Sequence, residues 1–272
     1  MTNQQTLINN LLQIKRNVKI KKPLIHYITN PISINDCANV MLAIGARPIM
    51  AEHPLEVSEI TSASNALGVN LGNITDVRMK SMLISGKTAF KERIPQVIDL
   101  VGVGCSKLRF NYAKKFISQC HPDVIKGNLS EIRAIYGIES NAKGIDAGEC
   151  DKITDDNIEI MKKLSLRTNS VIAATGAIDV ITNGSETYLI KNGCEMLSMV
   201  TGTGCMVTAL IASYISSLDI FAGTILAVSL MGICGELSQH ITGIGSFRTD
   251  LIDNLFTISD NTIINKIKCE LK

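Results

Sequence analysis

The stretch of this sequence best suited to chemistry is Val200-Thr201-Gly202-Thr203-Gly204-Cys205, and the apolar run Met206 to Tyr214 follows it directly. Two glycines among small and hydroxylated residues let the backbone turn tightly enough for several N–H groups to face one point. The apolar run reads as a buried helix, which would set those N–H groups at the positive end of its dipole. That is an anion cradle with a cysteine at its lip, an arrangement that phosphoryl transfer uses around a γ-phosphate. A Gly-x-Gly before a helix also serves as a plain strand-to-helix turn, so the motif has to be weighed with its companions.

Those companions follow short apolar segments. Asn30, in Ile28-Thr29-Asn30-Pro31, could bond a ligand or close its own turn. Asp99, late in the segment Gln96–Val101, is a natural seat for magnesium or its water shell, or else a loop acid or helix cap. Arg109 could face phosphate or pair with a surface acid. After Val124–Ile125 comes Lys126-Gly127-Asn128-Leu129-Ser130-Glu131. Asn128 and Glu131 have capping-box spacing, though Glu131 could also hold a metal's water shell while Lys126 offers charge to phosphate. Thr175-Gly176 ends the segment Val171–Ala174 and suits either a nucleotide phosphate or an ordinary turn. Ser85-Gly86-Lys87-Thr88 looks like the tail of a P-loop, but Ser81 stands where that pattern requires glycine. Met79, Met82 and Leu83 before it have helical spacing, so the segment reads as a helix end. The four histidines are too scattered to suggest a triad or metal cluster.

The elements that must position these groups alternate. Short segments Leu24–Ile28, Pro48–Met50, Leu67–Leu71, Gln96–Val101, Val124–Ile125 and Val171–Ala174 read as buried strands. Between them lie the helix-like stretches Asp36–Ile44, Thr75–Lys91 and Asp155–Leu166, the last capped by Thr154. Such alternation predicts an α/β fold, a mostly parallel central sheet with helices on both faces, and ligands gathered beyond the C-terminal ends of the strands. No linker, repeat or low-complexity block divides residues 1–272, which read as one domain.

Composition narrows the class. A formal charge of +2, no tryptophan and few other rings disfavour a nucleic-acid partner and favour small-molecule chemistry. The basic stretch Lys15 to Lys22 reads as a solvated helix end. Eight cysteines never form a Cys-x-x-Cys pair. With no secretory leader evident, such scattered thiols are expected of a reducing, cytoplasmic setting. The apolar run Met206 to Cys234 raises a membrane question, but Asp219 interrupts it, and two buried helices joined near Ser217–Asp219 explain it better.

Taken in order, these segments resemble the hydroxyethylthiazole kinase family of the ribokinase-like superfamily. The resemblance runs through nearly the whole chain: His26 to Asn30, Ala43 to Ala51, Asn70 to Gly72, Lys126 to Asn128 with Glu131, Lys143 to Gly148, Thr175-Gly176, Thr201 to Cys205 and Gly245 to Phe247. Cys205 is the sharpest discriminator, since most ribokinase-like kinases carry aspartate there. The resemblance implies a three-layer αβα ribokinase-like fold and ATP-dependent phosphorylation of 4-methyl-5-(2-hydroxyethyl)thiazole with Mg²⁺. It also implies a homotrimer with active sites between subunits. Carried over residue by residue, Met50 and Gly202 would contact the thiazole, with Asn30 a further substrate contact. Lys126 and Thr175 would contact ATP, Asp99 and Glu131 would handle magnesium, and Cys205 would sit by the substrate hydroxyl as base or positioning group. Two departures stand out: Leu100 replaces the family's proline, and Lys126 its arginine, which keeps the charge but loses the bidentate fork. Competing readings are a pyrimidine-alcohol kinase, against which Cys205 argues, an ATP-dependent dehydratase on the same fold, and a non-catalytic thiazole binder.

Overall fold

The structure is a computed structural model and describes residues 3–137 and 153–272. The matched segment Lys143 to Gly148 lies outside the described residues. Runs of apolar and β-branched residues, too short for helices, become the strands. β1 (Leu24–Ile28), β2 (Arg47–Ile49), β3 (Ala66–Asn70), β4 (Gln96–Asp99), β5 (Val124–Asn128) and β6 (Val171–Thr175) pair in parallel in the order β2-β1-β3-β4-β5-β6. Three antiparallel strands, β7 (Asp179–Thr182), β8 (Thr187–Ile190) and β9 (Cys269–Leu271), complete a nine-stranded sheet. Its two edges are three-residue strands: β2, which contains Pro48, and β9, whose Glu270 pairs with Lys191.

Strand residues alternate between two cores, as the pleat demands. Val97, Val124, Val171 and Ala173 face one core, while Ile98, Ile125, Ile172 and Ala174 face the other. The first core is covered by α1 (Asn3–Lys21), α2 (Ile34–Ala43), α9 (Thr203–Ile215), α10 (Ile220–Ser238) and α11 (Ile244–Thr257). The second is covered by α4 (Asp76–Glu92), α5 (Lys107–Cys120), α6 (Leu129–Tyr136) and α7 (Asp155–Thr168). The arrangement is a three-layer α/β fold, as expected. Shorter helices α3 (Val57–Ser62), α8 (Met196–Met199) and α12 (Asp260–Lys266) fill the connections. Thr75 and Thr154 cap α4 and α7 through their hydroxyls, which accept the N–H groups of Arg78 and Asn157.

Several expectations change in detail. Ser85 to Thr88 lies inside α4, not at its end, and Gly86 lets Phe116 and Cys120 pack against it. β5 extends through Asn128, so Lys126 is a strand residue and does not follow the strand. Likewise Thr175 closes β6, whereas β4 stops at Asp99 and Met50 lies just past β2. Among the described residues Arg109 meets no acid: it donates to the carbonyls of Leu71 and Val101. The basic stretch ends α1 as expected, yet Lys15 and Arg16 pair with Asp260. The long apolar run is two helices, α9 and α10, with Asp219 capping the second by accepting the Ala222 N–H. Helix α10 is long and apolar enough to cross a membrane by length and composition, and 78% of its most apolar window is buried inside the fold.

Candidate active site

The C-terminal ends of β3, β4 and β5 meet the start of α9, and there the buried polar groups gather. Asp99, at the end of β4, is 1% exposed. Its Oδ2 accepts from Asn70 Nδ2 at 2.9 Å, Thr208 Oγ1 at 2.7 Å and Lys126 Nζ at 3.2 Å, while Oδ1 accepts from the Val101 N–H at 3.2 Å. The ladder dictates two of these contacts, because Asp99 stands in register with Asn70 on one side and Lys126 on the other. A lysine inside a parallel strand is costly unless its charge is matched, and Asp99 matches it. Lys126 Nζ also donates to the Gly204 carbonyl at 3.1 Å. Burial pulls the Lys126 ammonium down, but the negative charges around it, Asp99 first, outweigh that and hold it above the ordinary lysine value.

Glu131 uses both carboxylate oxygens on backbone amides. Oε2 accepts from the Asn128 N–H at 2.8 Å and Oε1 from the Gly102 N–H at 2.7 Å. The Asn128 side chain returns the bond to the Glu131 N–H at 2.8 Å, so the capping box is closed. Burial raises the Glu131 pKa, against the two amide bonds that lower it. The two carboxylates therefore grip consecutive amides, Val101 and Gly102, of the loop after β4.

Helix α9 begins differently. Its cap is Gly202, at φ +88° and with no side-chain cap, and its first backbone bond is Met206 N–H to Gly202 O at 2.9 Å. The amides of Thr203, Gly204 and Cys205 have no acceptor among the described residues. A Cβ at Gly202 would be strained by the left-handed backbone and would meet Ser33 Cβ at 3.0 Å. A Cβ at Gly204 would meet Lys126 Nζ at 3.2 Å, so the lysine passes close beneath the first turn.

Cys205, at the third position of α9, is half-buried. Its sulfur accepts from Asn70 Nδ2 at 3.3 Å and Asn30 Nδ2 at 3.5 Å, and Tyr27 Oη donates to its carbonyl at 3.0 Å. Asn30 closes its own turn, and its amide nitrogen faces the same cluster of polar groups. Its Oδ1 closes the turn by accepting the N–H groups of Ile32 and Ser33, and its Nδ2 points to Asn70 and Cys205. Met50 is partly buried against the first core. The segment after it is held by His26, whose Nε2 donates to the Ala51 carbonyl at 2.9 Å. Thr175 and Gly176 line a cavity of about 680 Å³ together with Asp179, Thr203, Gly204 and Val207. Burial pushes the Asp179 carboxyl up to about 7, and its Oδ1 accepts the Gly176 N–H at 2.9 Å.

Of the residues singled out in the sequence, Asn30, Asp99, Lys126 and Cys205 are thus joined by one hydrogen-bond network, completed by Asn70. Gly202 caps the helix that carries Cys205, Glu131 shares a loop with Asp99, and Thr175 lines the same cavity as Thr203. Asn70 and Thr208 were missed as site residues. Asn70 ends a strand beside Asp99, where an amide also reads as a turn residue. Thr208 is the one hydroxyl in the run Met206 to Ala212, a signal that could have found it.

The model of the hydroxyethylthiazole kinase family matches residues 15–261. The chain belongs to this family. It is 73% identical over 261 residues to hydroxyethylthiazole kinase 2 of Clostridium botulinum (strain Hall), covering 94% of this chain and 98% of that one. The solved hydroxyethylthiazole kinase of Pyrococcus horikoshii OT3 superposes with a TM-score of 0.89 at 31% identity, covering 97% of this chain and 99% of that one. A ribokinase-like superfamily protein from Enterococcus faecalis V583 shares the fold, with a TM-score of 0.60 at 11% identity over 87% of this chain and 88% of that one. Family membership and the three-layer architecture make this a ribokinase-like α/β kinase fold.

Proposed function

We propose that the chain catalyses the reaction for which its family is named. It would transfer the terminal phosphoryl group of ATP to the hydroxyl of 4-methyl-5-(2-hydroxyethyl)thiazole, in thiamine biosynthesis or salvage. The observation that carries this reading is the open start of α9, with Cys205 on one side and the Asp99–Lys126 pair beneath it. Phosphoryl transfer asks the protein chiefly for positioning and charge neutralisation. The free amides of Thr203, Gly204 and Cys205, at the positive end of the α9 dipole, meet that demand. Lys126 has three hydrogens and spends two on Asp99 and Gly204, so one is left for a phosphate oxygen.

Magnesium fits the donor set. No cluster of three or more His, Cys, Asp or Glu occurs among the described residues, and Mg²⁺ favours one or two carboxylates completed by water and phosphate oxygens. Asp99 and Glu131 would hold it, largely through its water shell, since their oxygens already accept bonds from the protein. When bound it would neutralise charge on the phosphate oxygens. Thr175 would meet the nucleotide in the cavity that it lines, and Met50, Gly202 and Asn30 would meet the thiazole. Cys205 is the group proposed beside the substrate alcohol. The assembly proposed is a homotrimer with active sites between subunits, in the cytoplasm.

A coupled ADP-release assay with ATP, Mg²⁺ and the hydroxyethyl thiazole, run beside hydroxymethylpyrimidine, tests the reading. Turnover confined to the thiazole is expected. Turnover with the pyrimidine alone would overturn the acceptor, and silence with both would overturn the kinase assignment.

A further inference from the structure

Asn70 stands between the two halves of this site. It is fully buried at the end of β3, and its orientation is determined by chemistry, because the Gly72 N–H, 2.9 Å away, can only donate and so faces Oδ1. The second lone pair of Oδ1 accepts from Asn30 Nδ2 at 3.1 Å. The two hydrogens on Nδ2 then have two acceptors, Asp99 Oδ2 at 2.9 Å and Cys205 Sγ at 3.3 Å. The side chain is saturated and has no bond to offer a ligand.

We infer that Asn70 is a positioning residue that locks the carboxylate on the metal side, Asp99, to the sulfur on the acceptor side, Cys205. The inference rests on the kinase reading above for the roles of those two groups. Three side chains donate to Asp99 Oδ2, namely Asn70, Lys126 and Thr208. Of these, Asn70 alone also bonds the cysteine sulfur. A shift of either partner is therefore felt by the other through a single rigid amide. The sulfur, held by the amides of Asn70 and Asn30, keeps its own hydrogen for a third partner.

The test uses Asn70→Asp, which keeps size and Oδ1 but replaces two N–H donors with an oxygen that can carry at most one proton, shared with Asp99, and leaves none for the sulfur. Thr208→Val is its contrast, since that loses a donor to Asp99 and none to sulfur. For Asn70→Asp the expected result is a fall in kcat of about ten- to a hundredfold, with the thiazole KM moved less than about threefold. Peptide-resolved alkylation of Cys205 by iodoacetamide in the ligand-free protein supplies the second readout. Its rate should change at least about threefold in Asn70→Asp and stay within that range in Thr208→Val. Thermal unfolding checks that each variant folds, and Asn70→Ser enters both assays if the aspartate does not. An alkylation rate unaffected by loss of the Asn70 amide, or one moved equally by Thr208→Val, would overturn the proposal. A wild-type protein inactive on the thiazole would sink the kinase reading instead, and the alkylation arm would still decide whether Asn70 holds the sulfur.

Discussion

Two helices start at the same end of the same sheet and are built in opposite ways. α6 opens with a closed capping box, in which Asn128 and Glu131 satisfy each other's amides. α9 opens on a glycine with no side-chain cap and leaves the amides of Thr203, Gly204 and Cys205 without acceptors among the described residues. Helix starts expose unpaired N–H groups that something must satisfy. Where the sequence supplies the partner the helix is finished; where it withholds one, an anion can complete it. The difference separates a helix start that supports a carboxylate from one left open, where a phosphate is proposed to bind.

Capping the open start should have the largest effect. Gly202→Asp would place a carboxylate on the free amides, and kcat/KM for ATP should fall about 10²- to 10³-fold. Gly202→Ala imposes the same backbone strain without the cap, so steady-state kinetics on both variants separate the two causes. Equal losses would mean that strain, not the open start, governs the site. Next comes the sulfur at that start. Cys205→Ser should lower kcat about tenfold with little change in the thiazole KM, and unchanged turnover would exclude any proton-transfer role.

Opening the closed start should cost stability. Asn128→Ala removes the cap of α6 and should lower unfolding free energy by about 1 kcal/mol in urea titrations. No loss would show that the box adds nothing to the fold. The last effect is a pH dependence beside the open start, which leaves the chemistry of the site untouched. Folding raises the Asp179 pKa from 3.8 to about 7, so the folded chain holds this proton more tightly than the unfolded one. Stability contributed here is therefore full below about 4 and declines as pH rises toward 7. Between pH 5 and 8, Tm should fall by roughly 5 °C more in the wild type than in Asp179→Asn. Parallel Tm curves would remove Asp179 from the account.

Much of this contrast was legible in the residues themselves. Asn128 and Glu131 carry capping-box spacing, and glycines around Thr203 before an apolar run announce a helix that starts without a side-chain cap. Apolar runs placed Asp99 and Thr175 at the C-terminal edge of the sheet, because such runs stop where the backbone leaves the core. Lys126 was assigned to the wrong side of its strand boundary. A lysine usually ends an apolar strand, and only the neighbouring strand shows that Asp99 meets its charge. Strands β7 to β9 were not foreseen, being three or four residues each and drawing their pairing partly from the distant C-terminal segment Cys269–Leu271. Asn183-Gly184 between β7 and β8 was the local hairpin signal. Asn70 depended on tertiary contact altogether, since its meaning lies in two partners 29 and 135 residues away.

The ends of the sheet bear on how the protein behaves in a crowded solution. An open sheet exposes a row of unpaired backbone groups at each edge, where another chain can add itself strand by strand. Here one edge is three residues long and contains Pro48, which has no N–H to lend. The other is equally short, carries Glu270, and is flanked by Lys268 and Lys272. Neither offers a template long or neutral enough for fibre-like growth. The truncation that guards the β2 edge also ends the strand just before Met50, so resistance to self-association and delivery of a proposed substrate contact come from the same three residues.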